Sequence, residues 1–177
     1  MDAPSLHSLS LPSPDAIAPP RWLDHLLREA WSRIDAYLED APEPEHGGFY
    51  ASDFDQLFGL LSQSPFQPLK PGASWVEWGS GFGIATAVAG RLGWRAQGWE
   101  IDPELVEQAQ QLAHDFAWSV DLALGDYRHA PPADLVFAYP WPGESEPMQK
   151  RFADTARPGD RLLLYLGPDE WAAWEKT

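Results

Sequence analysis

Two acids and a run of glycines are the residues of this sequence best suited to chemistry. Glu77 ends an apolar run and is followed, after Trp78, by Gly79-Ser80-Gly81-Phe82-Gly83. Glycine is needed where a backbone turns sharply and a ligand must approach without meeting a Cβ. A small-residue helical pattern, 84–92, comes next, and the free N–H groups of its first turn point back over the glycines. A second apolar run, 94–99, ends at Glu100, 21 residues after Gly79. A carboxylate at that strand tip can accept both hydroxyls of a ribose, each charged hydrogen bond contributing roughly 1.5–3 kcal/mol. Strand, glycine turn, helix, strand and acid form the plan of a nucleotide-binding βαβ unit.

Three further points lie at strand ends. Gly125-Asp126-Tyr127 closes a third apolar run, 118–124, and Tyr139-Pro140-Trp141-Pro142 stops a fourth, 134–139. A fifth run spans 161–166. The histidines add little: His46 sits alone in a Pro/Gly loop, His114 on a helix and His129 in a loop, the last two being remote candidate bases. No metal-spaced cluster, Ser-His-Asp arrangement or phosphate-binding loop is present, so no metal is expected.

The elements that must position these groups follow from periodicity. Helices are expected over 22–38, 53–62, 104–116 and 144–156, with Ser52 and Asp55 as a start signal for the second. Asp102 is the expected cap of the third, with Pro103 in its first turn. Alternating strands and helices predict an α/β fold, doubly wound, with a mainly parallel sheet in the order 3-2-1-4-5. The switch point between the first and fourth strands then gathers the glycine turn, Glu100, Asp126 and Tyr139 on one rim. The eleven residues after Leu166 are expected to add a short sixth strand. An edge near the fifth strand is otherwise one that a partner or a second copy would cover. Residues 1–20, rich in Pro and Ser, read as a disordered arm. Residues 21–177 read as one domain, with a helical extension at 21–70 and the βαβ core at 71–177.

Composition narrows the function classes. The net charge of −15, with 12 Lys and Arg against 27 acids, disfavours a nucleic-acid partner, which needs cations on its phosphates. It suits a neutral or cationic partner, or simply solubility. Cysteine is absent, which removes disulfides and thiolate metal sites. No leader pattern and no apolar run long enough for a membrane helix is seen, so a soluble cytoplasmic protein is expected.

Glu-x-Gly-x-Gly-x-Gly, with Ile84 where a dinucleotide fingerprint wants its third glycine, resembles the first motif of class I S-adenosylmethionine-dependent methyltransferases. GWEIDPELVEQAQQLA, GDY at 125–127 and DLVFAYPWPGE match that family's later segments. The chain looks most like small bacterial methyltransferases with a Tyr-Pro-Trp-Pro motif. A looser similarity links it to the ATP-synthase c-subunit lysine methyltransferases, where a segment like 50–53 closes over the cofactor. The resemblance implies a Rossmann-like methyltransferase fold with S-adenosylmethionine as cofactor. By that resemblance Gly79, Ser80, Gly81 and Gly83 admit the methionine portion, and Glu77 braces the turn or reaches the cofactor's amino group through water. Glu100 and Ile101 take the ribose side, and Asp126 with Tyr127 takes the adenine. Tyr139 contacts the acceptor, in a pocket shared with Tyr50, Pro140 and Trp141. The family's usual Asn/Asp-Pro-Pro-Tyr/Phe is missing, so an adenine- or glutamine-type acceptor is not implied; a protein lysine or a small molecule fits better. Ordinary structural roles compete: Glu77 as a turn cap, Asp126 as a turn residue, and the aromatics as helix packing. A non-catalytic binding protein of the same fold is the alternative, and Ile84 argues against an NAD-dependent oxidoreductase.

Overall fold

The computed structural model describes residues 5–40 and 49–177. Residues 41–48, with His46, lie outside them. One sheet holds seven strands, β1 (Leu6–Ser8), β2 (Ser74–Trp78), β3 (Arg95–Glu100), β4 (Asp121–Leu124), β5 (Leu135–Ala138), β6 (Arg161–Gly167) and β7 (Glu170–Lys176). Their order across the sheet is β1-β7-β6-β5-β2-β3-β4. The five strands β4-β3-β2-β5-β6 are parallel and reproduce the expected 3-2-1-4-5 order. Among the described residues five helices flank them: α1 (Arg21–Asp40), α2 (Phe54–Leu61), α3 (Ile84–Arg91), α4 (Pro103–Asp115) and α5 (Ser145–Thr155).

Period-two alternation, with both faces of the sheet covered, explains why β5 and β6 are almost wholly apolar. Trp75, Phe137 and Leu163 pack into one core with α1, α2 and α3 residues such as Ile34, Leu57 and Ile84. Their sequence neighbours Val76, Val136 and Leu162 point the other way, against Met148 and Phe152 of α5. Both faces are thus dry, and polar work is left to the strand ends. Asp102 caps α4 as expected, accepting from the amides of Glu104 and Leu105 at 2.9 and 3.4 Å.

Four expectations need correction. The cap of α2 is Asp53, whose carboxylate accepts from the Gln56 amide at 2.9 Å, and not the Ser52/Asp55 pair. The strand expected from residue 118 starts at Asp121. Ala117 adopts a positive φ of 49°, and the Trp118 amide donates to Ala113 O at 2.8 Å, so these residues still belong to the end of α4. The sheet edge beside β6 needs no second copy, because the expected extra strand is the seven-residue β7, antiparallel to β6. Finally, the arm over 1–20 is ordered in its described part. β1 pairs antiparallel with β7, and Pro14–Ala16 form a 3-10 turn.

The arm also accounts for α2 being buried at every position but Asp55. The 3-10 turn lies across the outer side of α2 at Gly59, where a Cβ would collide with the Pro14 carbonyl. Leu9, Leu11 and Ile17 of the arm pack on the core, and Gln63 Nε2 donates to Ser13 O at 2.9 Å. Gly59→Ala is therefore expected to lower the melting temperature and to speed proteolytic cleavage within residues 1–20. This holds although Ala is about 0.8–1.0 kcal/mol the better helix former. An unchanged cleavage rate would show that the arm does not rest on that helix.

Candidate functional site

At the carboxyl end of β2 the chain turns through Gly79, Gly81 and Gly83, with φ of 80°, 49° and 72°. These left-handed angles exclude most side chains. The turn is fastened to β3 by its own backbone: Trp99 O accepts from the Gly79 and Ser80 amides at 2.8 and 3.0 Å. Such an approach requires β3 to be bare beneath it. A Cβ on Gly98 would lie 2.7 Å from the Ser80 side chain and 2.9 Å from Thr86 Oγ1. A glycine inside a strand is the sequence sign of such a contact, and sequence reasoning missed it.

Two buried acids staple the turn at either end. Glu100 Oε2 accepts from the Gly81 amide at 2.9 Å, while its Oε1 accepts from Ile101 and Asp102 amides at 2.8 and 3.0 Å. Glu77 Oε2 accepts from the Thr86 amide at 2.9 Å and from Thr86 Oγ1 at 2.6 Å, bracing the first turn of α3. Thus the Thr86 amide, expected to face a ligand, is already taken. The amides of residues 79 and 80 face β3, so the turn is not a phosphate cradle of the kind that dinucleotide sites use. Burial pushes the Glu77 carboxyl up to about 8; the Thr86 bonds oppose this and the nearby Glu100 charge adds to it.

Above Gly79, between the ends of β2 and β5, lies a cavity of about 300 Å³ including the solvent at its mouth. Glu77, Gly79, Ser80, Ile84 and Ala85 line one side, Phe137 and Tyr139 another, and Phe49, Tyr50, Ala51, Ser52 and Phe54 the third. Tyr139 meets Tyr165 edge to face at 4.8 Å, and Tyr165 packs on Trp171 at 4.7 Å. Trp171 Nε1 donates to Gln56 Oε1 at 2.8 Å, and Gln56 Nε2 donates to Asp169 Oδ1 at 2.7 Å. The wall holding Tyr139 is therefore tied to both α2 and the β6–β7 turn. Outside it, Tyr50 and Trp141 meet edge to face at 5.3 Å, 63% and 42% exposed, and Pro140 is buried.

Farther along the rim, Ile101 and Leu124 are exposed. Asp126 is turned toward its own neighbour: it accepts from the Arg128 amide at 2.8 Å and Nε at 2.7 Å. That contact holds its carboxyl below the usual range. Tyr127 stacks on Trp78 at 5.2 Å, with the Arg151 guanidinium 5.5 Å from the Trp78 ring. So Glu77, Gly79, Ser80, Tyr50 and Tyr139 converge on the cavity. Gly81, Glu100 and Ile101 continue the same rim, and Asp126 and Tyr127 are engaged at its far end. His114 and His129 are exposed and line no part of the cavity. Phe49, Phe137 and Thr86 were missed as site residues, since their roles come from contacts distant in sequence. Among the described residues no cluster of three or more potential ligands could hold a metal, and no helix is long and apolar enough to cross a membrane.

No family model matches the chain. Among curated proteins it is similar to the ribosomal protein L11 methyltransferase of Burkholderia ambifaria (strain MC40-6), 32% identical over 99 residues. That match covers 55% of this chain and 33% of the relative, so the chain spans about a third of that protein's length. Among solved structures, a methyltransferase from Geobacter sulfurreducens superposes with a TM-score of 0.57 at 17% identity, covering 82% of this chain and 98% of that one. An RNA methyltransferase from Salinibacter ruber in complex with S-adenosyl-L-homocysteine gives 0.56 at 20% identity, covering 76% and 91%. The chain has the Rossmann-like α/β fold of these methyltransferases.

Proposed function

We propose that this chain is an S-adenosylmethionine-dependent methyltransferase, with the adenosyl group along the tips of β3 and β4 and the sulfonium end over Gly79. The observation that carries this reading is the left-handed glycine turn stapled by Glu77 and Glu100 beside a cavity at the switch point of the sheet. The residues suit that cofactor. Apart from its chain neighbours, nothing lies within 4 Å of where a Gly79 Cβ would stand, which leaves room for the methionine portion. Glu100 Oε2 has accepted one N–H, and a carboxylate oxygen has a second lone pair for a ribose hydroxyl. Glu77, lining the cavity, supplies a carboxyl for the amino group. Ile101 and Leu124 offer apolar surface to the adenine, and Asp126 serves its amine once released in part from Arg128.

The cofactor supplies a methyl group already activated as a sulfonium. The chain's own work is then to align the acceptor and exclude water, with no acid–base relay required. Tyr139, Tyr50 and Trp141 do this at the cavity mouth. Their rings favour an alkylammonium by cation–π contact, roughly 0.5–2 kcal/mol, and the acceptor nitrogen attacks the methyl once it has released its proton to solvent. The Burkholderia relative is named for a ribosomal protein and the Salinibacter structure for RNA. A net charge of −15 supports a protein amine or a small molecule over RNA.

Calorimetric titration with S-adenosylmethionine, S-adenosylhomocysteine and NAD tests the site, and methyl-labelled cofactor added to cell lysate tests the reaction. Micromolar binding of both adenosyl compounds, no binding of NAD, and label entering a discrete product are expected. Adenosyl binding with no labelled product would make the chain a binder without catalysis.

A further inference from the structure

The three glycines of the turn have different surroundings. A Cβ at Gly83 would meet Leu122 Cδ2 at 2.9 Å and Ala109 Cβ at 3.5 Å, so that glycine serves the packing of α3 against β4 and α4. A Cβ at Gly79 would meet nothing within 4 Å. Gly81 lies between them and is covered by one side chain: the Phe49 ring, with Cε2 2.6 Å and Cδ2 2.7 Å from the Cβ position. That ring meets Phe82 edge to face at 4.9 Å, and Phe82, fully buried, meets Tyr37 at 5.4 Å. Phe49 itself is only half-buried and belongs to no helix or strand.

Gly81 is also where a bound cofactor must cross. Its amide is held by Glu100 Oε2, the proposed ribose acceptor, while the sulfonium end belongs over Gly79. A ligand reaching both has to pass the face that Phe49 covers. With the ring there, the enclosed part of the cavity has room for about one water molecule and none for a cofactor. We infer that Phe49 is a plug that competes with the cofactor for the Gly81 face, so that the site opens only when the ring swings off the glycine. This rests on the methyltransferase reading of the turn. Apparent affinity is then reduced by the fraction of molecules with the ring displaced.

The test is titration of wild type, Phe49→Ala and Phe49→Leu with S-adenosylhomocysteine, with a thermal melt of each. Removing the ring abolishes one edge-to-face aromatic contact, so Phe49→Ala is expected to bind about 3- to 10-fold more tightly. Phe49→Leu should fall between it and wild type, and stopped-flow association should quicken in the same order. Equal or weaker binding by folded variants, with wild type binding normally, overturns the plug and leaves the methyltransferase reading standing. Failure of all three proteins to bind overturns both. Should Phe49→Ala fail to fold, Phe49→Leu decides the matter by the same comparison.

Discussion

Glu100→Ala is expected to lose roughly 2–5 kcal/mol of stability and all measurable affinity for adenosyl compounds. Glu100 is 9% exposed, and its two oxygens accept from three backbone amides on both sides of the rim. A hydrogen bond to a charged acceptor contributes about 1.5–3 kcal/mol, but water can reach two of the three amides because Ile101 is exposed; the Gly81 bond carries most of the loss. Without it nothing holds Gly81 at its φ of 49°, and the surface offered to the ligand changes along with the ribose acceptor. Glu100→Gln separates the two effects. Its single carbonyl can satisfy one side only, and its NH2 faces a donor on the other, so binding should fall nearly as far while stability falls less. Urea melts and calorimetry read both. A Glu100→Ala protein within about 0.5 kcal/mol of wild type and binding normally would remove Glu100 from both roles.

Glu77→Gln is the second large effect, and its signature is pH dependence. The Glu77 carboxyl titrates near 4.5 when exposed and is pushed up to about 8 in the fold. Between these values the folded chain holds a proton that the unfolded chain has released. Folding is therefore progressively disfavoured as pH rises through that window, and the penalty is constant above it. Below about 4.5 both states are protonated and the penalty vanishes. An amide has no such titration. The stability of Glu77→Gln relative to wild type should therefore rise by a few kcal/mol, in order of magnitude, between pH 5 and pH 8. A difference that is flat with pH would mean that the carboxylate stays ionised and solvated throughout.

Much of the fold could be read from local pattern, because strands buried on both faces leave unbroken apolar runs and their glycine turns break them. Glu77, Glu100 and Tyr139 were placed at strand tips by the same logic. Their partners were not legible: which amides Glu100 serves depends on how the turn folds back over Gly98, a contact between strands. The arm was misread because its Pro and Ser content resembles disorder, whereas Leu9, Leu11 and Ile17 anchor it. Gly59, in the middle of an apolar helix, was the unused clue. The start of β4 was misplaced because Ala117 ends α4 in a left-handed conformation that sequence assigns to glycine or asparagine. Phe49 over Gly81 was beyond sequence reasoning, since 32 residues separate the two.

A crystal structure of the chain soaked or grown with S-adenosylhomocysteine decides whether an adenosyl group lies along this rim. The ribose hydroxyls are expected on the Glu100 carboxylate, the sulfur beside Gly79 facing Tyr139, and the Phe49 ring moved off Gly81. Density for the ligand elsewhere, or a rim unchanged from the present one at saturating ligand, would contradict that placement.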